Sequence, residues 1–195
     1  MNQNKAKILK AASSLFLTGG AAALSVRAIA KQAGVSTIGI YSHFEGKQGI
    51  LDALYIEGFG YVADAMDVLK LGLAPREAVL LASKNYLQLA ETHEAHYRLI
   101  FGENNGAYSP SKEAKTVAIE AFSGLIDLVG NVYPTLVDEA ARVRVALQVW
   151  ALMHGSVSLK QHAVGELVDM RDWQPRALEA VAVFIDGLSA GEATG

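Results

Sequence analysis

The chain predicts an all-α protein, with a small three-helix unit at the N-terminus and a larger helical bundle after it, about nine helices in total. Three observations predict this. Apolar residues recur at the i, i+3, i+4 spacing of helices almost throughout, and few segments alternate as strands do. Glycine and proline fall at the ends of these stripes, where helices stop and start. At 195 residues and 51% hydrophobic, the chain can bury a substantial core.

The first helix is expected over 4–18. Ile8, Ala12, Leu15 and Phe16 share one stripe, Lys5, Lys7 and Lys10 lie off it, and Gly19-Gly20 ends it. The run AASSLFLTGGAAAL behind these lysines has the outline of a secretory leader. Ser13, Ser14 and the two glycines break its apolar core, and it continues into the next helix, so it reads as part of the folded domain.

The run LSVRAIAKQAGVSTIGIYSHFEGK, 24–47, predicts two short helices joined by a tight turn. Ser25 suits an N-cap, because its hydroxyl can accept from an unpaired first-turn amide. Leu24 and Ile29 are placed as a hydrophobic staple around it. Ile29, Ala30 and Ala33 can face inward, and Gly34 suits the left-handed position that ends a helix. Ser36 repeats the cap, with Val35 and Ile40 as the second staple. In the second helix, about 36–44, Ile40 and Phe44 can pack on the first, while Thr37, Ile38, Tyr41 and Ser42 lie mostly away from that seam. An exposed Ile38 and Tyr41 suit thymine methyls and sugar-phosphate edges better than water. The segment has the pattern of a helix-turn-helix reader of the DNA major groove.

A fourth helix is expected from about Lys47 to Leu71, with Ile50, Leu51, Leu54 and Phe59 inward and Gly72 ending it. Pro75 opens a fifth as a first-turn proline, reaching about Thr92. A short sixth holds His96, Tyr97, Ile100 and Phe101, and GENNGAYSP, 102–110, reads as a loop. Ser109-Pro110 caps and opens a seventh, to about Gly130; an eighth spans Leu136 to His162; Pro175 precedes a ninth that ends near Gly187.

Charge separates the two parts. Residues 1–50 carry six Lys/Arg against Glu45 alone, net +5; the other 145 carry eleven against nineteen acids, net −8. A basic head on an acidic body fits a DNA reader with a separate non-DNA domain. The absence of cysteine excludes disulfides and cysteine-built zinc sites. No apolar run is long and clean enough to span a bilayer, so the expectation is a soluble cytoplasmic protein without membrane association.

The last two helices are broadly apolar. Val143, Leu147, Trp150, Ala151 and His154 form one stripe, widened by Ala146, Val149, Met153 and Val157; the ninth helix adds Leu178, Val181, Phe184, Ile185 and Leu188. That exceeds what packing in one bundle requires, and two such helices from each of two subunits can form a four-helix interface. Twofold symmetry would present two reading helices to a palindromic site.

The ordered set SVRAIAKQAGVS, IYSHF and Lys47 resembles the DNA-binding domain of TetR-family (tetracycline-repressor-like) regulators. VWALMHGSVSL, with YRLIFG before it, resembles the C-terminal domain of a TetR subgroup marked by Trp-x-x-x-His-Gly. Two positions depart from the family's pattern. Ile38 stands where a small residue is common, and Gly39 where threonine or serine is, which removes one polar side chain and costs up to ~1 kcal/mol of helix propensity. The resemblance implies a DNA-binding domain over 1–48 and an effector-binding and dimerisation domain over 49–195. It implies phosphate contacts from Tyr41, His43 and Lys47, with Lys47 at a helix start where an anion would offset the macrodipole. It implies backbone or base contacts from Ser25 and Arg27, with Thr37 and Ile38 lining the groove; Ser36 and Ser42 complete the candidate DNA-binding set.

Family members commonly enclose an effector. Met66, Tyr86, Tyr97, Phe101, Phe122, Trp150 and His154 are candidates to line such a site here, and would suit a small, largely apolar molecule. His154 is the leading candidate, since a histidine on an apolar stripe needs a polar partner. His93 and His96 share a helical face, a weak metal signal, and are expected to be solvated or to cap a helix end. No nucleophile elbow, phosphate loop or metalloprotease motif occurs, so no catalysis, cofactor or metal is expected. The sequence thus points to a homodimeric, ligand-responsive transcriptional regulator, a repressor bound to a palindromic double-stranded operator and released by an effector. The competing reading is a protein-interaction adaptor that keeps the fold with little sequence-specific DNA binding.

Overall fold

A computed structural model describes residues 3–102, 108–161 and 167–192. The middle of the expected 102–110 loop and the expected helix end at His162 lie outside the described residues. Among those described there are nine α-helices and no strands: α1 (Gln3–Gly19), α2 (Val26–Ala33), α3 (Thr37–Tyr41), α4 (Gly46–Met66), α5 (Pro75–Thr92), α6 (Glu94–Phe101), α7 (Lys112–Val132), α8 (Glu139–Gln161) and α9 (Trp173–Glu192). Short 3₁₀ turns occupy Gly20–Ala23 and Leu69–Leu71.

The helices form two compact units, Met1–Tyr61 with Thr92–Glu120, and Val62–Glu91 with Ala121–Gly195. The first is built on the predicted stripe of α1. Ile8, Ala12 and Phe16 are buried with Leu24 just before α2, Ile29 of α2, Ile40 of α3, Ile50, Leu51 and Leu54 of α4, and Leu99 of α6. Leu15 and Phe44 pack against this core from partly exposed positions, and Lys5 lies over the Phe44 ring. The second unit buries Tyr86 and Leu87 of α5, Leu128 of α7, Met153 of α8, and Val181 and Ile185 of α9. Within it α8 and α9 pack on each other, and Arg76 of α5 makes a two-pronged ion pair with Asp186 of α9 at 2.7 and 3.0 Å.

Several helix ends differ from expectation, each for a local reason. α4 stops at Met66 rather than Leu71. The Val68 amide turns back to the Met66 carbonyl at 2.8 Å, Lys70 pairs with Asp67, and the 3₁₀ turn ends at Gly72 with φ 64°. α7 begins at Lys112 because Ser111, not Ser109-Pro110, is the cap: its hydroxyl accepts from the Ala114 amide at 3.2 Å. α7 also runs through Gly130, which keeps a helical φ, to Val132. α8 starts three residues late, since turns use up 133–137 and Asp138 supplies the cap to the Ala140 amide at 3.2 Å. α9 starts at Trp173 behind Asp172, with Pro175 inside its first turn, where a missing N–H costs no intrahelical bond, and it passes Gly187 without the left-handed turn that would end it.

Candidate nucleic-acid interface

The α2–turn–α3 geometry follows from its caps. Ser25 is extended, and its hydroxyl accepts from the Ala28 amide at 3.1 Å. Gly34 adopts φ 67°, ψ 34°, which lets the Val35 amide reach the Ala30 carbonyl at 3.0 Å and close α2. A side chain at Gly34 would be strained by that φ. The Ser36 hydroxyl then accepts from the Gly39 amide at 3.0 Å and starts α3. Ile29 and Ile40 are fully buried, Leu24 nearly so, and Val35 packs against the same core, so the residues of both expected staples lie in one core. Regular helix in α3 is only Thr37–Tyr41, shorter than the expected 36–44, although the amides of Ser42, His43 and Phe44 still bond back to the carbonyls of Ile38 and Ile40. The chain then turns at Gly46, with φ 69°, into α4.

This packing leaves one side of α3 bare. Ile38 is 78% exposed and Tyr41 64%, and Ser25, Arg27, Ser36, Thr37 and Ser42 are also exposed. The Tyr41 ring lies over the α-carbon of Gly46; a Cβ there would sit 3.2 Å from the ring. Three hydroxyls and one amine of the candidate set carry structural bonds as well. Ser25 and Ser36 are caps, Ser42 Oγ donates to the Gly39 carbonyl at 2.9 Å, and Lys47 Nζ donates to the Ala21 carbonyl at 3.0 Å. Lys47 is therefore half-buried, not a freely solvated lysine, and two of its three N–H donors remain for an anion. His43 is half-buried.

The candidate effector residues divide between the units. Tyr97 and Phe101 belong to the first, where their rings meet edge to face at 4.8 Å and Phe101 also meets Phe59. Met66, Tyr86, Phe122, Trp150 and His154 belong to the second. There Trp150 is the hub: its Nε1 donates to the Tyr86 hydroxyl at 2.9 Å, and its ring lies 5.6 Å from Phe122 and 6.1 Å from His154. Met66 is buried, and its side chain lies beside Gly124. Burial holds the His154 ring below the usual histidine pKa, which favours its neutral form.

Two polar clusters in the first unit were not anticipated. Asp52 of α4 accepts from the Tyr108 hydroxyl at 2.6 Å and the Ser111 amide at 3.1 Å, which ties the start of α7 to α4; burial and this carboxylate push the Tyr108 phenol above its ordinary pKa. Glu57 meets His96 Nε2 at 3.0 Å, and His93 stacks on Tyr61 at 3.8 Å. His96 is thus paired rather than solvated, and His93, at the cap position of α6, makes no side-chain capping bond. The His96 contact lowers the Glu57 pKa against an opposing push from burial. The i, i+4 spacing of Glu57 and Tyr61 and the i, i+3 spacing of the histidines are visible in sequence; that the two pairs meet is not. Among the described residues no group of three or more His, Cys, Asp or Glu could hold a metal, and no helix is long and apolar enough to cross a membrane.

Two short capped helices, a left-handed glycine turn and an exposed face without acids define a protein of the helix-turn-helix class. Residues 8–54 match the model of bacterial regulatory proteins of the tetR family, and residues 79–186 match that of the tetracyclin repressor-like C-terminal domain. The chain belongs to the tetR family of transcriptional regulators. Solved structures agree in fold. A protein of unknown function from Rhodococcus sp. RHA1 is 24% identical over 96% of both chains, with a TM-score of 0.77. A tetR-family regulatory protein from Rhodococcus RHA1 is 21% identical over 93% of this chain and 96% of its own, TM-score 0.70. The regulator FadR from Bacillus subtilis, solved with stearoyl-CoA, is 19% identical over 91% and 97%, TM-score 0.67. No curated protein matches the sequence.

Proposed function

We propose that the chain is a homodimeric, ligand-responsive repressor that binds a palindromic operator through α3 and is released by a small, largely apolar effector. The observation that carries this reading is the bare, acid-free face of α3 in a segment with net charge +5. Tyr41, His43 and Lys47 are assigned to phosphates, Ser25 and Arg27 to the backbone or a base edge, and Thr37 and Ile38 to the groove, with Ser36 and Ser42 beside them. Residues 1–48 serve as the DNA-binding domain and 49–195 as the effector and dimerisation domain. Leu147 and Ala151 of α8 and Val183 of α9 are exposed in the single chain, and a four-helix interface with a second copy would cover them. The aromatic hub at Trp150 supports an apolar effector, and the Bacillus subtilis FadR solved with stearoyl-CoA makes a long acyl chain, the apolar part of that ligand, the first chemistry to try. Reading helices must sit roughly 34–36 Å apart on successive major grooves. An effector that alters this separation would release DNA. Catalysis has no place in this reading, and the protein would work in the cytoplasm beside its operator.

Mobility-shift titrations at rising salt test the reading. A repressor loses affinity steeply with salt and still prefers its operator to random duplex. Weak binding without preference would instead fit a protein-interaction adaptor.

A further inference from the structure

Ile8, Ile29, Ile40 and Ile50 of the first unit are fully buried, whereas Ile38 is 78% exposed. It is β-branched, so its χ1 is stiff and its methyls are held in a fixed place on α3. Apart from the exposed Thr37, its neighbours provide little polar readout. Gly39 has no side chain, Ser36 Oγ already accepts from the Gly39 amide, and Ser42 Oγ already donates to the Gly39 carbonyl. Glycine at position 39 is not demanded by the backbone. Its φ is not left-handed, and an added Cβ would meet Ser36 Oγ at 3.4 Å and Val35 Cβ at 3.7 Å, ordinary contacts. Position 39 therefore leaves bare backbone beside Ile38, the exposed aliphatic side chain of α3; the other large exposed group, Tyr41, carries a hydroxyl and lies against Gly46. Arg27 and Lys31, both exposed on α2, add positive charge to the same small unit.

The thymine C5-methyl is the apolar feature on the major-groove edge of a base pair; cytosine carries hydrogen there. We propose that Ile38 is a specificity-determining side chain of α3 and reads one thymine methyl in each half-site. This rests on the reading of α3 as the groove helix. Burial of one methyl against Ile38 changes affinity about fourfold per half-site, hence about fifteenfold when both halves of a symmetric site are altered.

The test starts from sites that the full chain selects out of a random duplex pool. Each thymine of the selected site is then replaced by deoxyuridine, which removes the methyl and keeps the base pair. One thymine per half-site is expected to be sensitive, by about fourfold, and Ile38→Ala should bind the thymine and uracil versions equally. Ile38→Ala should keep the wild-type unfolding curve, because so little of Ile38 is buried. A selected site with no uracil-sensitive thymine, or an Ile38→Ala variant as uracil-sensitive as wild type, overturns the assignment and leaves the DNA-reading function standing. A pool that yields no enriched site overturns both.

Discussion

Two glycines separate the demands of folding from those of the reading face. Gly39 has room for a Cβ, so Gly39→Ala should raise stability by up to ~1 kcal/mol, the ordinary helix-propensity gain. At Gly58 in α4 a Cβ would fall 2.9 Å from Ile100 Cγ2 and 3.3 Å from His96 Cβ of α6, so Gly58→Ala should lose about 1–3 kcal/mol through overpacking. Urea unfolding of both variants checks the opposite signs. Ser36→Ala should cost about 1 kcal/mol by removing the cap of α3. The caps of α2 and α3 were legible because each is set by residues a few positions apart. The Lys47 bond to Ala21 was not, since it joins atoms 26 residues apart. Lys47→Ala should therefore weaken DNA binding and also lower stability, whereas Tyr41→Ala, at an exposed position, should weaken binding with little effect on unfolding.

The elements were legible where local chemistry sets them and less so where packing does. α5 starts at Pro75 and ends at Thr92 as its sequence pattern requires. Gly130 and Gly187 read as stops, yet α7 and α9 run through both, because a glycine ends a helix only when it takes up the left-handed turn. In sequence the stripe of α8 is one broad apolar face. In the structure Ala146, Val149, Met153 and Val157 are buried while Leu147 and Ala151 are exposed, a division that hydrophobicity alone does not reveal. The same helix carries a pH dependence. Burial lowers the His154 pKa, so the unfolded chain binds the proton more readily than the folded one. Stability from this site is full above the unfolded histidine value, about 6.5, and falls as pH drops below it toward the lowered folded value. His154→Gln should flatten that part of the acid limb, read by urea titrations at pH 7.5 and 5.5; an unchanged slope would remove His154 as its source.

For the whole molecule, the basic head and acidic body visible in composition agree with a helix-turn-helix unit in a tetR-family chain. The second copy proposed for the exposed apolar residues of α8 and α9, and the effector proposed for the Trp150 region, leave no mark on composition, because both are molecules outside the chain. Leu147→Lys with Val183→Lys should shift the protein toward monomer in sedimentation and reduce operator affinity with it, since each site needs two reading helices. The central claim is sequence-specific reading by a dimer, and selection of bound sequences from a random duplex pool tests it most directly. The expected result is a palindromic motif with half-sites about one helical turn apart. A folded, dimeric protein that enriches no motif would contradict it.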